Sequence, residues 1–195
     1  MTERIGEVVE TSTTHFIAQS YEVDRPPSFG SLVMAAQGDT HVFGVVARAE
    51  TSSIEPGRIA VARGQQAASY EEVIQQNPQL RVLFRTLFTA QVVGFRNDAG
   101  LHHYLPPQPA PVHAFVYSCD PEEVIALTES LGFLVTLASA QGLEPREELL
   151  AALVRQAGLA RGGDRDFLVR AGRELSLLLA GEPNQLKAVL ERIRP

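Results

Sequence analysis

The chain has 195 residues, of which 45% are hydrophobic and 21% charged, so it can bury a real core and is not predicted to be disordered. Its formal net charge of −6 argues against nucleic-acid binding, because such proteins hold phosphates with an excess of cationic side chains. A single cysteine excludes an internal disulfide, and neither a signal pattern nor an apolar run long enough to cross a bilayer occurs in the sequence. We therefore expect a cytoplasmic protein without membrane insertion.

The first half of the sequence predicts a small β-barrel. Short segments rich in β-branched and aromatic residues alternate there with turn signals. The predicted strands cover residues 4–12, 14–23, 31–37, 41–53, 89–100 and 112–118. Six antiparallel strands can close a barrel and remove its free edges. Gly44 lies inside the fourth strand, where a missing side chain predicts a bulge or a barrel corner.

A helical insertion is predicted at about residues 70–88. The segment "YEEVIQQ" ends at Asn77, which would cap a further helix with Pro78 in its first turn. The five apolar residues that follow at helical spacing are Leu80, Leu83, Phe84, Leu87 and Phe88. We assign residues 1–118 to a barrel domain that carries this insertion.

Residues 119–195 are predicted to form an all-α unit. Asp120 as N-cap, Pro121 at the first helical position and two glutamates in the first turn mark a helix start. An apolar stripe carries this helix to about Ser139. Further helices are predicted at residues 146–158, 165–181 and 182–193, and Asp164 can cap the second of these. The predicted fold class is therefore α+β: a six-stranded antiparallel barrel with a helical insertion, then an all-α C-terminal unit.

The barrel half resembles a known family. An initial "IGEVV" strand, a "TSTTHFIA" second strand, a "FGSLV" third strand and "FGVV" in the fourth are similar to the HAS-barrel. That barrel stands at the N-terminus of HerA-type DNA-translocating ATPases and of the α and β subunits of F-type ATP synthases. The resemblance covers residues 4–53 and extends loosely to 118. It implies a six-stranded barrel of the kind that packs side by side in ring collars.

The chain departs from this family in having no recognisable motor. A P-loop needs a glycine-rich turn and a lysine, but Lys187 is the only lysine and no G-x-x-x-x-G-K-[ST] pattern occurs. We therefore expect no cofactor and predict a non-enzymatic protein-interaction or assembly module. The resemblance implies two kinds of partner, a separate ATPase or a second copy of the chain. An accessory role in DNA processing is an alternative that follows from the family alone.

A second alternative is an enzyme or small-ligand binder that uses loop histidines and arginines. His102, His103 and His113 lie close in sequence, and the "GRIAVARGQQ" loop supplies Arg58 and Arg63. This hypothesis predicts that a histidine and an arginine meet in one pocket. No spacing typical of a zinc site supports a metal centre, so we assign no catalytic, cofactor-binding or metal-binding residue.

Cys119 is the one candidate nucleophile. It immediately precedes the predicted N-cap, where a helix N-terminus would lower the pKa of the thiol. We favour the simpler interpretation, in which Cys119 is a small apolar residue at the junction between strand and helix.

The segment "YLPPQPAPVHAFVY" (residues 104–117) has two interpretations. Its composition is that of a stiff polyproline II strip, which could dock a partner at low entropic cost. It also leads into the last predicted strand, which must return to the barrel to close it. We favour this interpretation, in which the segment is a connector. The candidate interface residues are Tyr104, Pro106, Pro107, Pro109, Pro111, His113 and Tyr117.

Overall fold

The computed structural model describes residues 3–55, 57–140, 142 and 145–193, and its first half is a closed antiparallel β-barrel. Within these residues the strands are β1 (Arg4–Thr11), β2 (His15–Ser20), β3 (Leu32–Gln37), β4 (Thr40–Ser53), β5 (Phe84–Asn97), β6 (Gly100–His102) and β7 (Phe115–Ser118). Six of them close the ring in the order β1–β7–β3–β4–β5–β2, and β2 pairs back onto β1. The short β6 extends β5 as a hairpin outside the ring. The predicted six-stranded barrel is confirmed.

Aromatic and aliphatic side chains fill the inside of the barrel. Phe16, Phe88 and Phe95 are buried there among valines and alanines. At Gly44, where β4 shifts register against β5, a Cβ atom would lie 2.9 Å from the Cβ of Ala90 and 3.1 Å from Cε1 of Phe16. A side chain at this position would therefore collide with the core, and the predicted bulge is confirmed.

The wall formed by β3, β4 and β5 is apolar on its outer face as well. The outward-facing residues that join the core of the helical half are Leu32, Met34, Phe43, Val45 and Val93. Their neighbours Val42 and Val46 belong to the core inside the barrel. Because alternate residues of a strand point to opposite faces, β4 is buried on both sides over this stretch.

The predicted helical insertion is shorter than expected. Helix α1 covers Tyr70–Gln76 and α2 covers Leu80–Leu83, but β5 already begins at Phe84, so the prediction of helix up to residue 88 is wrong. Phe84 pairs with Ser53 and Phe88 pairs with Ala49. Hydrogen bonding to β4 therefore overrides the helical spacing of the apolar residues.

Asn77 also has a different role from the predicted one. It ends α1 as the C-cap, and its side-chain amide donates to the carbonyl oxygen of Val73 at 3.0 Å. Gln79 precedes α2 as its N-cap residue without a side-chain hydrogen bond. Asn77 thus closes the first helix and does not open the second.

The C-terminal half is helical, as predicted. Its helices are α3 (Pro121–Thr128), α4 (Gly132–Ser139), α5 (Arg146–Ala160), α6 (Arg165–Leu178) and α7 (Pro183–Arg192). Asp120 accepts from the amide of Glu123 in a capping box, and Asp164 accepts from the amides of Asp166 and Phe167. Among the described residues, no helix has both the length and the apolarity needed to cross a bilayer.

The helix that was predicted to run from Pro121 to Ser139 is divided in two. The guanidinium group of Arg161 donates to the carbonyl oxygen of Ile125 at 3.0 Å and to the hydroxyl of Thr128 at 2.7 Å. A continuous helix would give the Ile125 carbonyl to the amide of Glu129. Arg161 therefore caps α3 from outside, and the chain turns before α4 begins.

The shared wall predicts that barrel and helices unfold together. Phe43→Ala removes a fully buried ring from the contact between the two halves and should lower the free energy of unfolding by about 3–5 kcal/mol. Urea titrations would follow the tyrosines by near-ultraviolet circular dichroism and the helices at 222 nm, since all four tyrosines lie in the first 118 residues. Both signals should move to the same lower midpoint.

Leu177→Ala is the control, because this side chain is 74% exposed and its loss should change stability by less than about 0.5 kcal/mol. Two separate transitions in Phe43→Ala, with the helical signal unmoved, would contradict the shared core.

Candidate functional site

The proline-rich segment closes the barrel on one side. Ala110 and Ala114 are buried with the inner core. The amide of Val8 donates to the carbonyl oxygen of Ala114 at 2.9 Å. The amide of His113 donates to the carbonyl oxygen of Val8 at 2.8 Å. Pro106 is buried, Pro109 and Pro111 are half-buried, and Pro107 is exposed. These contacts favour the connector interpretation over a free polyproline strip.

The two tyrosines of this segment lie in different surroundings. Tyr104 is exposed, its hydroxyl is 3.1 Å from Nδ1 of His102, and its ring packs edge-on against Phe95. Tyr117 lies in β7 and packs partly buried against the helical core. Of the two tyrosines, only Tyr104 is therefore exposed to a partner.

The histidines do not meet the loop arginines. His113 pairs with Glu7 on the outside of the barrel, and His102 stacks on Phe95. His103 packs against Gly132, and burial lowers the pKa of its ring. The described part of the chain contains no group of three or more histidine, cysteine, aspartate or glutamate side chains placed to hold a metal ion.

Cys119 lies half-buried between β7 and α3. It packs against the helical core, and burial raises the pKa of its thiol, with further contributions from the carboxylates of Glu123 and Asp120. The interpretation of Cys119 as a small apolar junction residue is supported.

A cleft of about 830 Å³ lies at the far end of the long β4–β5 hairpin. Past Leu87, where the pairing of β2 with β5 ends, the two strands continue as a two-stranded ribbon, residues 51–53 paired with residues 84–86. Residues 57–83 connect them and are called the insertion below. The walls of the cleft are the ribbon, the insertion and the loop after β2, residues 21–25. No histidine lines it among the described residues.

Four arginines and three acidic residues, Glu22, Asp24 and Glu71, line the cleft. Arg25 is paired with Glu22 at 3.1 Å, and Arg58 is paired with Glu55 at 2.7 Å. Arg63 and Arg81 also line the cleft, and within the described residues no carboxylate lies in ion-pair distance of either. These two positive charges are therefore available to a ligand.

A hydrogen-bonded group supports one wall of the cleft. The hydroxyl of Tyr70 donates to Oδ2 of Asp24 at 2.8 Å, and this bond, with burial, raises the pKa of Tyr70. The backbone amide of Asp24 donates to the hydroxyl of Thr86 at 2.7 Å. The hydroxyls of Thr86 and Thr51 are hydrogen-bonded to each other at 2.8 Å. The insertion is thus tied to the ribbon and to the loop after β2.

The insertion exposes a concentration of apolar side chains. Ile59 is 85% exposed and Val61 is 75% exposed, and Tyr70 and Val82 are also exposed. Scattered apolar residues on a surface need no explanation, but several within one short segment mark an interaction site. The sequence reasoning considered this loop only for its arginines. The alternation of Ile59 and Val61 with alanines is a pattern in the sequence that could have pointed to this surface.

No protein-family model matches the chain, and no curated protein sequence matches it either.

The buried thiol of Cys119 generates a prediction about its reactivity. Because burial raises its pKa, Cys119 should react with a disulfide reagent at pH 8 at least about tenfold more slowly in the folded chain than in urea. The release of chromophore from Ellman's reagent measures this rate. Leu177→Cys in a Cys119→Ser background supplies an exposed thiol as control. A folded Cys119 as reactive as that control would show an activated thiol and contradict the assignment.

Proposed function

We propose that the protein is a non-enzymatic interaction or assembly module whose recognition surface is the insertion. The observation that carries this proposal is the exposure of Ile59 and Val61 beside a cleft with two unpaired arginines. Apolar residues surrounded by arginine and tyrosine are typical of protein interfaces. Exposed apolar side chains gain free energy when a partner covers them.

The distribution of titratable groups supports recognition more than catalysis. A general acid–base pair must have both groups within reach of one substrate. The loop histidines lie apart from the cleft. Of the three acidic residues that line it, Glu22 is paired with Arg25 and Asp24 accepts a hydrogen bond from Tyr70. The cleft offers charge and apolar surface, which serve binding.

The resemblance to the HAS-barrel suggests the class of partner. Barrels of that family accompany a motor domain, and this chain carries no lysine-bearing P-loop. We propose as partners a separate ATPase, which would supply the motor, or a second copy of the chain. The barrel would then act as the folded body that holds the insertion in place.

Affinity purification from native cells tests this function. Wild-type chain should retain a partner, identified by mass spectrometry as an ATPase or as an untagged copy of itself. The double variant Ile59→Ser/Val61→Ser should lose most of that partner and keep its stability, because both side chains are exposed.

The matched control is Leu159→Ser/Leu177→Ser, which alters two similarly exposed residues on α5 and α6. This control should retain the partner. A wild-type chain that elutes alone as a monomer would contradict the proposed function. Loss of the partner in the control with retention in the insertion variant would contradict the assigned surface.

A further inference from the structure

The backbone amides and carbonyls of residues 59–63 have no hydrogen-bond partner among the described residues. This segment lies in no helix or strand, and none of its residues has a positive φ. Among the described residues, none of its amides or carbonyls takes part in a hydrogen bond, although the amide just before it, of Arg58, donates to Glu55. Five consecutive residues therefore present free donors and acceptors beside the cleft. An extended peptide can pair with such an edge as an added strand.

The side chains of the segment alternate in the way that strand pairing requires. In an extended chain, Ile59, Val61 and Arg63 share one side, while Ala60 and Ala62 lie on the other. The first side is apolar and cationic, and the second is small enough for close approach. A strand added along this edge would place every second side chain against Ile59 and Val61.

The charge of the cleft selects among such peptides. Arg63 and Arg81 are not neutralised by a described carboxylate, although the whole chain has a net charge of −6. Carboxylates of a ligand would form charge-assisted hydrogen bonds with these guanidinium groups. Of the carboxylates in the cleft, Glu22 is already paired with Arg25, and Asp24 accepts from Tyr70. A basic peptide would therefore meet two unpaired cations and bind less well than an acidic one.

A small molecule fits the cleft less well than a peptide. Ligand pockets bury most of the ligand surface, but the wall formed by Ile59 and Val61 is itself largely in solvent. The wall that this segment forms is exposed along residues 59–63, and its apolar and charged groups are spread over consecutive residues of the chain. This shape suits a segment of chain that crosses the cleft.

We propose, building on the interaction function above, that the insertion binds an acidic, extended segment of a partner protein by strand addition. The segment pairs with the backbone of Ile59–Arg63. Its alternate apolar side chains cover Ile59 and Val61, and its carboxylates lie against Arg63 and Arg81.

A library of random heptapeptides displayed on phage, selected against the full chain, tests this inference. Enriched peptides should alternate apolar residues with aspartate or glutamate and lack lysine and arginine. The best of them, synthesised with a fluorescent label, should bind with an affinity that falls as salt is raised.

Arg63→Ala and Arg81→Ala should each weaken binding of this labelled peptide by about tenfold in fluorescence anisotropy, as expected for the loss of a charge-assisted contact. Arg85→Ala, an exposed arginine of the ribbon that does not line the cleft, should leave it unchanged.

Methylation of the peptide backbone isolates the strand pairing. Methyl groups on every second amide nitrogen should abolish binding when they lie on the paired edge. The same number on the other edge should leave binding intact, because alternate amides of a strand point in opposite directions.

Four results would overturn the inference: no enriched peptide, enrichment of basic peptides, affinity that Arg63→Ala and Arg81→Ala leave unchanged, or equal binding of both methylated forms. Tighter binding of a labelled oligothymidine through the same arginines would also overturn it, in favour of nucleic acid. None of these outcomes decides the broader interaction function, which the affinity purification tests separately. A partner that wild type retains and Ile59→Ser/Val61→Ser loses would still show an interface at the insertion, formed in another way than by strand addition.

Discussion

Burial of the β3–β4–β5 wall on both of its faces is the constraint on which the rest of the structure depends. Val42 and Val46 pack inside the barrel, while Phe43 and Val45 pack against the helices. Removing apolar surface from water on two sides of one sheet makes this wall the common core of barrel and helices. Burial on both faces also explains why the sequences of β3 and β4 are nearly continuously apolar at the wall, a pattern typical of strands covered on both faces.

The same wall limits where the proposed recognition surface can lie. Helices cover β3, β4 and β5 at the wall, and the exposed stretch of β4 is its far end, residues 48–52. The bond between Tyr70 and Asp24 ties the insertion to the loop after β2, and the amide of Asp24 bonds to Thr86 of the ribbon. A packed body thus carries the proposed recognition segment, whose backbone makes no hydrogen bond among the described residues, as stable scaffolds commonly carry binding loops.

Local chemistry predicted much of this fold, and contacts distant in sequence decided the rest. The caps at Asp120 and Asp164 and the bulge at Gly44 follow from signals within a few residues, so they could be predicted. Phe84 and Phe88 fit a helical period and a strand alike, and only their pairing with β4 makes them strand. Arg161, which ends α3, lies 36 residues from Ile125. The loop arginines were visible in the sequence, but their lack of partners depends on the folded chain.

Hydrogen exchange at single-residue resolution tests the central claim most directly. If the doubly buried wall carries the fold, the amides of Val42–Val46 and Val92–Phe95 that bond within the sheet should exchange only through global unfolding. The amides of Ile59–Arg63 should exchange close to the rate of an unstructured peptide. Wall amides that exchange through low-energy local openings while those of α5 stay protected, or an insertion segment as protected as the wall, would contradict this account.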